Sequence, residues 1–227
     1  MNFTHQQRGN ALVIILIAMS LFAALSFAIT SSSRDSSTKL ISDKEMDLAV
    51  QNLLRHAVNI ENAIDTMRTL NNVGSTEISF VSTDAPYDYS NGNCTSNVCK
   101  VFSASGGGIS WQEPPAKLTA GITPPAGMDS YQFLGTDPIY GHGSDGTTVG
   151  DSDLYALVMV NTQACTAINK AVEVTDGESA TVTATPRFQG SYSYNGTVIN
   201  NANLNGHKAF CAESSGNHQF IYVLLPR

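Results

Sequence analysis

Four cysteines, Cys94, Cys99, Cys165 and Cys211, carry the most obvious chemistry in this 227-residue chain. An even set pairs into two disulfides in an oxidising compartment; in a reducing one the same residues serve as metal ligands or buried thiols. Cys94 and Cys99 sit five positions apart in "NCTSNVCKVFS" and are placed to clip a small loop or hairpin. Their spacing is wrong for a zinc knuckle, and no second Cys or His pair lies nearby. Cys165 and Cys211 stand either as a long bridge or as two buried thiols. A second constellation, His142 with Asp145, Asp151 and Asp153, lies in and beside the glycine-rich "GHGSDGTTVGD". Carboxylate and carbonyl oxygens in such a loop suit calcium, but these residues follow no calcium motif, and a solvated loop is the expectation. "SGGG" at 105–108 lacks the lysine and following helix of a phosphate site. There is no Gly-x-Ser-x-Gly, no His-Glu-x-x-His and no dinucleotide fingerprint, and the five histidines are scattered. A role without catalysis, cofactor or metal is therefore expected.

Composition points the same way. Hydrophobic residues make up 42% and charged ones only 14%, against about a quarter in ordinary soluble domains, while small polar residues abound. This is the composition of many exported β-rich proteins. A net charge of -7 with only 12 Lys and Arg argues against nucleic acid as a partner. The length suits one globular domain plus an attachment.

The attachment is the N-terminus. From Ala11 to Ile29 only Ser20 and Ser26 are polar, and as a helix at 1.5 Å per residue these 19 residues approach the roughly 30 Å of a bilayer core. His5 and Arg8 precede the run and no acid occurs before Asp35, which leaves the short N-terminus cytoplasmic and exports the rest. A cleaved secretory signal ending at "SFA", Ser26 to Ala28, is the alternative. Against it, a second helical pattern follows. Val50, Leu53, Ala57, Ile60, Ile64 and Met67 recur at alternating steps of three and four, widened by Leu54, Ala63 and Leu70. Gln51, Arg55, Asn59, Glu61, Asp65 and Arg68 take the opposite face, and His56 is expected on the exposed flank. The pattern predicts an amphipathic helix separated from the apolar part by "TSSSRDSST" and stopped by "NNVG" at 71–74.

This order of parts resembles the type IV pilin superfamily, which comprises pilins and the pseudopilins of type II secretion. "THQQRG" looks like its leader, with Gly9 matching the residue before the prepilin-peptidase cut and Asn10 the first mature residue. The resemblance implies an α+β fold: a long N-terminal helix, half transmembrane and half amphipathic, packed on an antiparallel β-sheet head. It divides the chain into a leader (1–9), an apolar half-helix (10–30), an amphipathic half-helix (31–73) and a periplasmic head (74–227). The implied partners are other pilin or pseudopilin subunits, the prepilin peptidase and lipid of the bacterial inner membrane. Ala11, Ile14, Ala18, Ala23, Ala24 and Ala28 become helix-packing positions, small residues allowing close approach. The family usually has Phe or Met after the cut and Glu at the fifth residue beyond it, where this chain has Asn10 and Ile14. That departure favours a minor or initiating subunit over an abundant shaft subunit. The resemblance also implies the Cys165–Cys211 bridge, as in type IVb pilins. A secreted or membrane-anchored adhesin or sensor, contacting its ligand through residues 84–150, is the competing reading.

Within the head, strands are expected at "TEISFVS" (76–82), after Cys99, at Ile109 to Trp111, at Tyr131 to Leu134, at "DLYALVMV" (153–160) and at "ATVTATP" (180–186). "HKAFCAES" and "HQFIYVLLP" read as an antiparallel hairpin, and "NTQACTAINKAV" as a short helix capped by its Asn or Thr. The stretch 104–150 reads as a long, loop-dominated insert.

Overall fold

In the computed structural model the described residues are 10–175, 186–196, 198–199, 203–204, 206–214 and 216–227, and side chains of the N-terminal helix are described at 13–27 and from 42 onward. Gly9 and most of "ATVTATP" lie outside them. The chain divides into two units, Met1–Glu45 and Met46–Arg227.

Helix α1 runs from Asn10 to Leu70 without a break, so the serine-rich "TSSSRDSST" does not interrupt it. Serine and threonine have only modestly poor helix propensity, and this stretch contains neither Gly nor Pro to stop propagation. The stop does come at "NNVG": Asn72 takes a left-handed φ of 52°, and the Met67 carbonyl accepts from the amides of both Asn71 and Val73.

In the unit beginning at Met46, α1 buries Val50, Leu53, Ala57, Ile60, Ala63, Ile64 and Met67. Leu70, expected to widen the stripe, is instead 79% exposed, because the helix ends there and no described residue extends over it. His56 is a larger correction. It is only 5% exposed and packs its ring against Tyr131 at 5.3 Å. Its position three after Leu53 and four before Ile60 puts it inside the apolar stripe.

The sheet opposite the helix has four antiparallel strands: β1 (Gln132–Leu134), β2 (Leu154–Val160), β3 (Ala209–Ser214) and β4 (Asn217–Leu225). Their spatial order is β1-β2-β4-β3, and β3 and β4 form the expected hairpin around a turn with Gly216 at φ 79°. This confirms an α+β chain with an antiparallel sheet. Alternate strand residues serve two cores. Phe133, Leu154, Ala156, Val158, Phe220, Tyr222 and Leu224 join the α1 stripe, whereas Tyr155, Leu157, Met159, Phe210, Ile221 and Val223 face Ile139, Val174, Ile199 and Leu204. Both faces of β2 are covered, which explains its unbroken apolar sequence. The covering of the second face comes from segments without regular structure.

Three expected strands are absent. Of 76–82 and the stretch after Cys99, only an isolated bridge forms, in which Ser79 donates to the Cys99 carbonyl and accepts from the Val101 amide, both at 2.9 Å. Ile109 to Trp111 is a loop in which Trp111 is fixed by its ring, edge-on to Phe102 and Tyr131. Aromatic and β-branched residues raise strand propensity, but here side-chain burial holds them without a ladder partner.

Helix α2 (Thr162–Ala171) is capped by Asn161, whose side-chain oxygen accepts from the Ala164 amide at 2.8 Å while its nitrogen donates to the carbonyls of Lys117 and Ala120. It shields the edge strand β3. Asn169 donates to the Cys211 carbonyl at 2.9 Å and accepts from the Cys211 amide at 2.7 Å, as a neighbouring strand would. The Cys165–Cys211 disulfide joins the same two elements, with Cα atoms 5.3 Å apart, and Cys94–Cys99 closes the short loop.

Two predictions follow from these contacts. Replacing Cys165 and Cys211 by Ala should cost about 4 kcal/mol in loop-closure entropy, against about 2 kcal/mol for Cys94 and Cys99, measurable by denaturant titration. Burial lowers the His56 pKa from 6.5, and its Nε2 has no hydrogen-bond partner among the described residues. The unfolded chain therefore binds a proton that the folded chain resists, so the stability held above about pH 6.5 is lost as the pH falls below it. His56→Phe, which keeps the ring against Tyr131, should be neutral or stabilising by about 1 kcal/mol at pH 7. Thermal melts should show a flatter profile between pH 7 and pH 5 than those of the parent.

Candidate functional site

The candidate site with the least conventional chemistry is the N-terminal part of α1, within the unit Met1–Glu45. Val13, Ile14, Ile15, Leu16, Ile17, Met19, Leu21, Phe22, Leu25 and Phe27 are all exposed, Phe22 at 73% and Phe27 at 77%. Ala18, Ala23 and Ala24 are exposed too. No side of these turns is polar, unlike the amphipathic stripe further along the same helix. Such a surface exceeds the scattered apolar exposure normal for a folded protein. Ser20 is adapted to it, since its hydroxyl donates to the Ile17 carbonyl at 2.8 Å and so needs no water. The side chains of Ala11 and Ala28, and the Gly9–Asn10 junction, lie outside the described side chains. Among the described residues no helix is long and apolar enough to cross a membrane. The described apolar stretch, 13–27, spans only about 22 Å at 1.5 Å per residue.

The amphipathic part of α1 is tied to the sheet by one acid. Glu61 pairs with Lys208, just before β3, and accepts from the Tyr222 hydroxyl of β4 at 2.6 Å. Burial and the neighbouring Glu61 carboxylate push the Tyr222 pKa well above its usual 10.0. Glu61 was expected on the polar face, and its role as a link to the sheet becomes visible only once the strands are in place.

The carboxylates in and beside the glycine-rich loop do not all project into solvent. Asp153 is buried, accepting from the Ile139 amide at 2.7 Å and the Arg227 amide at 2.8 Å, and burial raises its pKa to about 6. Asp151 forms a capping box with Thr148 over the 3-10 turn Val149–Asp151. Asp145 accepts from the Gly141 amide at 2.7 Å. Each carboxylate is thus engaged by nearby protein donors, and among the described residues no group of three or more His, Cys, Asp or Glu side chains converges as a metal site. Asp137, which the sequence reading passed over, joins Thr136 and Tyr155 in a buried polar cluster behind the sheet, its pKa raised by burial.

The glycines of "SGGG" have a packing role. An added Cβ at Gly107 would lie 2.9 Å from the Ala63 Cβ and 2.4 Å from the Val101 carbonyl oxygen, so only glycine lets this loop press onto α1.

Comparison with known protein families, with curated proteins and with solved structures finds no match to this chain.

Among the described residues, the core of the Met46–Arg227 unit is built from Met46 onward. Replacing Leu16 and Phe22 by Glu should therefore leave both disulfides and the thermal midpoint of the head unchanged, while shifting the chain from the detergent-rich to the aqueous phase in detergent partitioning.

Proposed function

We propose that this chain is a minor pilin-like or pseudopilin-like structural subunit of a type IV pilus or type II secretion filament. Residues 10–30 anchor it in the bacterial inner membrane before assembly, and residues 74–227 form a periplasmic head. The observation that carries this reading is the contrast within α1. Every large apolar side chain described from Val13 to Phe27 is exposed, whereas the stripe from Met46 to Met67 is buried in the head's own core. A helix with one self-satisfied half and one bare half suits a subunit that exchanges lipid for neighbouring helices on assembly. The full apolar run from Ala11 to Ile29 is needed to cross the bilayer, and short small-residue contacts at Ala18, Ala23 and Ala24 suit helix packing afterwards.

Ile14 supports the minor role. An aliphatic side chain cannot pair with a neighbouring subunit's amino terminus, so the subunit should join a filament built by others more readily than polymerise alone. No reaction is assigned to it. A membrane-anchored binding protein is the second reading; it requires the same exposed helix but no leader processing.

The N-terminal sequence of the membrane-extracted protein tests the proposal. Asn10 as first residue supports the subunit, Ile29 a secreted protein, and intact Met1 a plain anchor. Gly9→Leu should block processing and leave a full-length membrane-bound precursor, seen as a slower band on gels; cleavage of that variant after Ala28 would overturn the proposal. The purified mature chain in detergent should remain monomeric or weakly associated by light scattering.

A further inference from the structure

A cavity of about 490 Å³ opens on the head beside the Cys94–Cys99 loop, within the range of small-ligand sites. Its walls come from four short segments: 81–84, the turn ending at Lys100, 102–104 and 108–111. All four are held from outside the cavity. The disulfide closes the loop before Lys100, the Ser79 bridge fixes the segment leading to Val81, and the Gly107 amide donates to the Lys100 carbonyl at 3.0 Å. The aromatic residues of the cavity are Phe102 and Trp111, with ring centroids 5.2 Å apart and planes at 73°. Trp111 is fixed further by Tyr131 and Phe133, and its indole nitrogen donates to Glu113 at 2.9 Å. These rings need little reordering to receive a ligand, which lowers the entropic cost of binding.

The polar lining narrows the ligand. Asp84 presents an exposed carboxylate, Lys100 an ammonium that donates to the Asn97 carboxamide at 2.8 Å, and Ser110 contributes a hydroxyl. The one carboxylate and one ammonium cancel, so the cavity has no field to favour a phosphate or polyanion. Its many polar groups would be left unpaired by a lipid chain. What fits is a neutral molecule with hydroxyls along its edge and an apolar face to lay on a ring. Polarised C–H groups are attracted to the negative face of an aromatic ring, and hydroxyls both donate to Asp84 and Asn97 and accept from Lys100.

We infer that this cavity binds a neutral saccharide, one or two pyranose rings in size, through Trp111 and Phe102 on the apolar face and Asp84, Asn97 and Lys100 on the hydroxyl edge. The inference stands independently of whether the chain enters a filament.

Trp111 is the only tryptophan in the chain, so its fluorescence reports on this cavity without background from another indole. The full chain in detergent is titrated with glucose, galactose, N-acetylglucosamine, lactose, cellobiose and chitobiose, with glycerol and inorganic phosphate as controls. At least one sugar should give a saturable change in intensity or wavelength that glycerol does not. Asp84→Ala, an exposed position, should weaken that sugar about tenfold while leaving the melting temperature unchanged. Trp111→Phe should weaken it too, read by saturation-transfer NMR on the sugar. The proposal is overturned if no sugar saturates by about 100 mM, if phosphate binds in preference, or if Asp84→Ala and Lys100→Ala both bind as the parent does.

Discussion

The head depends on the burial of one helical stripe against one sheet face. Leu53, Ile60, Ile64 and Met67 have no measurable exposure, and each fully buried aliphatic of this kind is worth about 1.5–3 kcal/mol. A four-stranded sheet exposed on both faces would not stand alone. With α1 on one face, β2 can be apolar on every residue and β4 from Phe220 to Leu225, provided something covers the other. The polar contacts are arranged around that interface. Glu61 reaches Lys208 and the Tyr222 hydroxyl at its border, and the Gly107 loop approaches Ala63 along its side.

The second sheet face is closed by chain without regular structure, at Ile139, Val174, Ile199 and Leu204. Irregular chain in a core must satisfy its own backbone groups. This explains the buried Asp153, which accepts two backbone amides, whereas Asp137 accepts from the side-chain hydroxyls of Thr136 and Tyr155. Residues that in sequence suggest a cation site thus serve to hold loops in place. At the far edge of the sheet, Asn169 and the Cys165–Cys211 bridge close β3 against α2, so a strand that would otherwise offer free amides to another chain is occupied.

Two parts of α1 differ in exposure. The apolar stripe from Met46 to Met67 is buried with the sheet face. The large apolar side chains described from Val13 to Phe27 are exposed. Apolar surface removed from water in lipid or against other helices would contribute stability in proportion to its area, and the fold of the head draws on none of it. The proposed anchoring or assembly would therefore change without disturbing the head, and the cavity beside the Cys94–Cys99 loop is separate from the exposed helix.

What the sequence by itself determined is whatever local periodicity encodes. The 3-4 spacing of Val50 to Met67 specified a helix and its buried face, the apolar run in 153–160 a strand, the pair around Gly216 a hairpin, and "NT" at 161–162 a helix cap by one of its two residues, which the structure assigns to Asn161. These features depend on neighbours within a few residues, so pattern suffices. His56 was legible by the same spacing, but polarity suggested exposure, and only the ring of Tyr131 across the interface shows why it is inside. Tertiary structure alone decided the rest. "TEISFVS" and Ile109 to Trp111 have strand-like composition yet no ladder partner, because pairing requires a second chain segment at about 5 Å that no single-segment pattern can announce. Likewise, the destinations of Asp145, Asp151 and Asp153 were set by which amides the folded loops brought within hydrogen-bond reach. Such distances arise from long-range packing and are absent from residue spacing.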